Sequence, residues 1–137
     1  NVGTLFRSAE AFGAAGVYLV GGVDPYNPKL VRAAAGSTFR LPFAMGGEAT
    51  AVEVVGRLAD AGVDAWATVP TGGGSMVDVA AGGGLVALVL GSEPHGLDAE
   101  LVAACVGTAT VETSGAVESL NVAVAGSVAL YELSRSG

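Results

Sequence analysis

Four short apolar runs punctuate the chain, at 17–20 (VYLV), 63–69 (VDAWATV), 85–90 (LVALVL) and 108–111 (TATV). Each is brief, rich in Val and Leu, and bounded by Gly, Pro or polar residues, so each reads as a buried strand. Their apolar character is continuous rather than alternating, which suits a parallel sheet covered on both faces. The intervening spacing predicts helices over 2–12, 49–61, 98–105 and 121–134. The first places Leu5, Ala9 and Phe12 on one face, and the second Val52, Val55, Leu58 and Ala59. Asp98 is expected to N-cap the third. The last starts near Asn121 and carries Val124, Val128, Leu130 and Tyr131. This alternation predicts an α/β domain, a parallel sheet flanked by helices with right-handed crossovers.

The loops between these elements are distinctive. Gly21-Gly22-Val23-Asp24-Pro25-Tyr26-Asn27-Pro28 is expected to continue neither strand nor helix. Thr71-Gly72-Gly73-Gly74-Ser75 and Gly82-Gly83-Gly84 flank a short stretch at 76–81. No repeat at a solenoid period is present. A chain of 137 residues fits one domain, and 51% apolar against 14% charged residues excludes disorder. Thirteen acidic and six basic residues leave a net charge of -7, which argues against a strong intrinsic nucleic-acid footprint. A polyanion partner would have to be held by a few local Arg residues or by parts outside this chain. The single cysteine, Cys105, excludes an internal disulfide and fits a reducing, cytoplasmic compartment. No apolar run approaches the ~18 residues needed to span a bilayer, and Asn1-Val2-Gly3-Thr4 lacks the character of a signal peptide. With no initiator Met, a preceding segment is expected.

Several chemistries lack their residues. The only lysine, Lys29, follows Asn27-Pro28 rather than a glycine turn, so a P-loop fails. Gly21-Gly22-Val23-Asp24 does not match a dinucleotide fingerprint, and no G-x-S-x-G elbow occurs. One His and one Cys make a zinc site implausible, and no metal is expected. His95 and Cys105 read as a loop residue and a small buried hydrophobe.

Three clusters remain. Asn1-Val2-Gly3-Thr4-Leu5-Phe6-Arg7-Ser8-Ala9 reads as a helix N-capped by Asn1, with Arg7 projecting from its second turn. Leu88-Val89-Leu90-Gly91-Ser92-Glu93-Pro94-His95-Gly96-Leu97 carries a strand into a glycine turn bearing a carboxylate, at the strand end where α/β sheets bind ligands. In 111–125, a polar loop enters an Ala/Val helix with Ser119 and Asn121 at its mouth.

Together the three clusters resemble motifs 1, 2 and 3 of the SpoU/TrmH-type RNA ribose methyltransferases of the SPOUT superfamily. The likeness runs from Asn1 through Glu132 and includes Asn27-Pro28-Lys29-Leu30-Val31-Arg32-Ala33-Ala34-Ala35-Gly36-Ser37. It implies a C-terminal trefoil knot, S-adenosylmethionine bound there, a homodimer, and methyl transfer to a ribose 2′-hydroxyl in ribosomal or transfer RNA. It matches Asn1, Arg7, Glu93, Ser119 and Asn121 to catalytic positions. Thr68, Leu90, Gly91, Val111 and Leu120 fall at cofactor positions, and Arg7 and Arg32 at positions of RNA contact. The matching span makes 1–137 a catalytic domain lacking its first strand and any N-terminal RNA-binding domain. One departure is Val111-Glu112-Thr113, where motif 3 usually opens with Ile-Pro-Met. That departure supports a second reading, a catalytically silent cofactor-binding or dimerisation module. A third, an unrelated nucleotide-binding α/β enzyme, lacks its fingerprints. A guanidinium keeps its proton in proteins, so Arg7 is expected to hold a phosphate and stabilise a developing oxyanion, with Ser119 and Asn121 fixing the ribose.

Overall fold

Every strand pairing among the described residues is parallel, as the continuous apolar runs require. The structure, a computed structural model, describes residues 1–21, 23–91, 96–117 and 120–136. Its elements are α1 (Val2–Ala11), β1 (Val17–Leu19), α2 (Pro28–Ala34), α3 (Ser37–Arg40), β2 (Phe43–Met45), α4 (Ala51–Asp60) and β3 (Val63–Thr68). They continue with β4 (Gly74–Ser75), α5 (Met76–Ala81), β5 (Leu85–Val89), α6 (Ala99–Ala104), β6 (Gly107–Thr110) and α7 (Val122–Ser136). The strands lie in two parts, β1–β2 and β4–β6–β3–β5.

Alternation along β3 sends side chains to opposite faces of the larger part. Ala65 packs with Val55 of α4 and Leu101 of α6. Trp66 packs with Met76 and Val79 of α5 and Ala129 of α7. Helices therefore cover both faces, as predicted. A third cluster joins α1 to the smaller part through Phe6, Ala9, Leu19, Ala34 and Leu41, and Phe6 meets Phe43 edge-on at 5.7 Å.

The four predicted strands and four predicted helices all form, with ends moved by one or two residues. Five further elements, α2, α3, β2, β4 and α5, were not predicted. They are two to seven residues long, too short to show a period. Local chemistry sets them instead. Pro28, expected to lie in a breaker loop, opens α2 at a position where a missing N–H costs nothing. The Asn27 Oδ1 accepts from the Lys29 and Leu30 amides at 2.9 and 3.4 Å. Thr50 and Glu53 start α4 with a reciprocal capping box.

Three predicted core faces are rotated. On α1 the buried residues are Gly3, Phe6 and Ala9 rather than Leu5, Ala9 and Phe12. On α4 they are Val54 and Val55, and Ala59 is exposed. On α7, Ala123, Gly126 and Ala129 are buried, whereas Val124, Val128 and Tyr131 stand 49%, 38% and 45% exposed. The predicted face was chosen by size, but close helix approach selected the small residues. Asp98 sits at the N-cap of α6, yet its side chain makes no capping hydrogen bond.

Candidate active site

The carboxyl ends of β3, β5 and β6 lie side by side. Ala67 pairs with Val89 and Thr68 with Ala109, so Leu90, Gly91 and Val111 come immediately past the last rungs of the ladder. Their peptide groups are released from regular pairing where a ligand can use them. The Thr68 hydroxyl donates to the Val89 carbonyl at 2.9 Å and ties two of these ends together. Leu90, Gly91, Val111 and Leu120 are all half-buried. A Cβ on Gly91 would lie 2.9 Å from the Gly96 carbonyl carbon, so only glycine allows this approach without displacing backbone. Glu112 and Thr113 are exposed, so the charge of Glu112 is solvated.

Thr110 adds a contact that the sequence reading missed. Its Oγ1 donates to the Val69 carbonyl at 3.0 Å and accepts from the Gly73 amide at 2.9 Å. A Cβ on Gly73 would lie 2.7 Å from that oxygen. The glycine loop is thus pinned across the end of β6. The signal was there, in a Gly-rich turn directly after a strand, but its partner lies 37 residues away.

Helices α1 and α7 pack together, and Leu90 lies at their contact. A Cβ on Gly126 would lie 2.6 Å from Leu5 Cδ2 and 3.1 Å from Leu90 Cδ1, which brings α1, α7 and β5 to one point. The Ser127 hydroxyl donates to the Ala123 carbonyl at 2.6 Å, so the Ser8 hydroxyl, 2.6 Å away, donates to Ser127. Asn121 Oδ1 accepts from the Ala123 amide at 2.8 Å and caps α7, which leaves the Asn121 amide group as a donor. Asn1 occupies the N-cap of α1 as expected, but its side chain makes no capping bond. Asn1 and Arg7 are exposed on α1, Arg32 is exposed on α2, and Asn121 is exposed at the mouth of α7. Glu93 and Ser119 lie outside the described residues.

Behind Arg7, Arg40 grips Glu10 through Nε and Nη2 at 2.7–3.0 Å, and the Ser37 hydroxyl donates to the same carboxylate at 3.0 Å. The Arg40 hydrogen bonds hold the Glu10 carboxyl below the usual carboxylate range, and the same pairing raises the Arg40 guanidinium. Burial pushes the Cys105 thiol up, away from the thiolate a nucleophile needs. A cleft of about 280 Å³ between α5 and α7, lined by Val77, Ala80, Ala81, Glu132 and Arg135, contains none of the expected site residues. Among the described residues no cluster of His, Cys, Asp and Glu could hold a metal ion. None of their helices is long and apolar enough to cross a membrane.

Comparison with known proteins shows the family of the chain. The model of the SpoU rRNA Methylase family matches residues 1–131. The chain is 34% identical over 134 residues to the 23S rRNA (guanosine(2553)-2'-O)-methyltransferase RlmP of Bacillus subtilis, covering 97% of this chain and 52% of that protein. It is 32% identical over 149 residues to the 23S rRNA (uridine(2479)-2'-O)-methyltransferase of Streptomyces viridochromogenes, covering 98% and 48%. The AdoMet-bound rRNA methyltransferase from Sinorhizobium meliloti superposes with a TM-score of 0.85 at 34% identity, over 98% of this chain and 51% of that one. The chain spans about half the length of the curated relatives it matches.

Proposed function

The chain belongs to the SpoU rRNA methylase family, and from that premise we propose that it is the catalytic domain of an S-adenosylmethionine-dependent methyltransferase acting on a ribose 2′-hydroxyl of ribosomal or transfer RNA. The observation that carries this reading is the meeting of Leu5, Gly126 and Leu90. It brings the helix bearing Asn1 and Arg7, and the helix capped by Asn121, to the residue just past the end of β5.

The residues there fit the cofactor. Half-buried Leu90, Val111 and Leu120 offer a nucleoside an apolar slot, and the backbone around Gly91 offers directed hydrogen bonds. Thr68 holds the strand ends in register through Val89. S-adenosylmethionine, when bound, supplies an electrophilic sulfonium methyl. The chain must then align a ribose oxygen and stabilise it as its proton leaves. In this reading Arg7 holds the adjoining phosphate and the developing oxyanion, while the amide groups of Asn1 and Asn121, with Ser119 and Glu93, fix the ribose. Arg32 contacts RNA further along α2.

Partner, domain and location follow from the same reading. The apolar outer face of α7, Val124, Val128 and Tyr131, supports a homodimer built on that helix. The break between the two parts of the sheet supports a further strand beside β5, supplied by sequence outside residues 1–137. The C-terminal trefoil knot is part of this proposal, as is action in the cytoplasm, where the RNA is. Titration calorimetry with S-adenosylmethionine and methyl incorporation into RNA by a version carrying its flanking sequence test it. Heat of binding with incorporation at the ribose supports the enzyme. Binding without incorporation assigns a silent module, and no binding overturns both.

A further inference from the structure

The chain is acidic overall, but its charge is segregated. Residues 1–40 hold four of the six Lys and Arg and only two of the thirteen Asp and Glu. Both acids are engaged, Glu10 by Arg40 and Asp24 by the Tyr26 amide at 2.9 Å. Arg7, Lys29 and Arg32 remain exposed. They fall along one seam. A Cβ on Gly3 would lie 2.5 Å from the Leu30 carbonyl oxygen and 2.7 Å from Ala33 Cβ, so α1 and α2 are in backbone contact there. Arg7 follows Gly3 on the same side of α1, one turn on. Lys29 and Arg32 are likewise one turn apart on the solvent side of α2.

At the start of that seam stands Tyr26, 65% exposed. Its placement is nonetheless fixed. Pro25 beside it is buried, its amide is held by Asp24, and its ring meets Phe43 edge-on at 6.2 Å. An aromatic ring held at one edge and open over most of its surface, on the loop entering the helix that carries exposed Lys29 and Arg32, has the makings of a single-strand platform. A protein interface would instead centre on apolar residues depleted of charge.

We propose that Tyr26 is a stacking platform for an unpaired base of the RNA, whose phosphates lie along Lys29, Arg32 and Arg7. The proposal rests on the reading that this chain acts on RNA, and adds that it takes the RNA as an unstacked single strand at the α1–α2 seam. Stacking on one aromatic side chain is worth a loss of about 5- to 100-fold in affinity when the ring is removed.

The test is fluorescence anisotropy with an unstructured oligoribonucleotide of about 12 nucleotides and an abasic oligomer of equal length. Y26A should weaken the base-bearing oligomer at least about fivefold and leave the abasic one unchanged. Y26L, which keeps an apolar contact for Phe43, should behave as Y26A, and Y26F as the wild type. K29A/R32A should weaken both oligomers and reduce the salt slope by about 1.4, the value for two phosphates on a single strand. A Y26A that binds the base-bearing oligomer as tightly as the wild type, or that loses affinity equally for both oligomers, overturns the platform, as does a Y26F loss matching that of Y26A. So does a Y26A effect confined to the sedimentation of the protein, which would assign the ring to a second copy. A wild type that methylates RNA with Y26A unchanged sinks this inference alone. A wild type that binds neither oligomer also sinks this inference, and a version carrying its flanking sequence that methylates no RNA sinks the RNA reading with it.

Discussion

Arg7 is exposed on α1, the helix whose Leu5 lies with Leu90 against Gly126. If it stabilises the oxyanion, Arg7→Ala should slow the methyl-transfer step about 10²–10³-fold, the usual cost of one such donor. Its exposure means the melting temperature should hardly move. Single-turnover kinetics at saturating RNA check this, and an unchanged rate removes Arg7 from the chemistry. Glu10, one turn further on, has a different task. Its carboxylate takes Arg40 and Ser37 together and fastens α3 to α1. Because the folded carboxyl titrates below its unfolded value, its stabilising effect is complete above the ordinary Glu range near ~4.3. It is lost as pH falls through the lower, folded value. Glu10→Gln removes this dependence, so its urea midpoint should fall less than that of the wild type on acidification. Parallel midpoints from neutral pH to about pH 3 would show that the pair contributes nothing to stability.

The packing of α1 against α7 is close, and Gly126 is its test. Replacing a mid-helix glycine by alanine gains about 1 kcal/mol of helix propensity. Here the new Cβ would sit 2.6 Å from Leu5 Cδ2, and overpacking costs about 1–3 kcal/mol. The neighbours are the ends of flexible leucine side chains, so the two effects nearly cancel and G126A should leave the midpoint close to wild type, while in an L5A background the same change should stabilise by up to about 1 kcal/mol. A double-mutant cycle in urea measures the coupling, and additive effects would mean that Leu5 rotates away freely. Small residues at such crossings explain what the sequence hid. The strands at 63–69 and 85–90 were legible because Val and Leu leave no other use for them, and the Thr68–Leu90–Gly91 convergence followed from their shared register. The buried stripe Ala123–Gly126–Ala129 was not legible, since a pattern weighted by size points to Val124 and Val128. Nor could α3, four residues long, announce itself, because a tertiary pairing between Glu10 and Arg40 anchors it.

At the scale of the whole molecule, α7 has apolar residues all round, a composition that belongs to a helix covered on every side. One chain covers only part of it. Phe12 reaches Tyr131 at 5.5 Å, and Arg135 lies 5.7 Å from the Tyr131 ring centre, but Val124 and Val128 remain open. A second copy docking about a two-fold axis would cover the same patch on both chains. The chain's charge of -7 opposes that association; added salt screens the repulsion and strengthens apolar burial at once. Dimerisation should therefore tighten with salt, whereas RNA binding along Arg7, Lys29 and Arg32 should weaken. The opposite signs separate the two surfaces in one titration. V124E/V128E places two carboxylates on the open face of a helix whose buried face is untouched. By sedimentation it should be a folded monomer under conditions where the wild type is a dimer, with the unfolding midpoint shifting only as far as the lost partner dictates. A double variant that sediments with the wild type would show that α7 turns its valines to water and that any partner copy sits elsewhere.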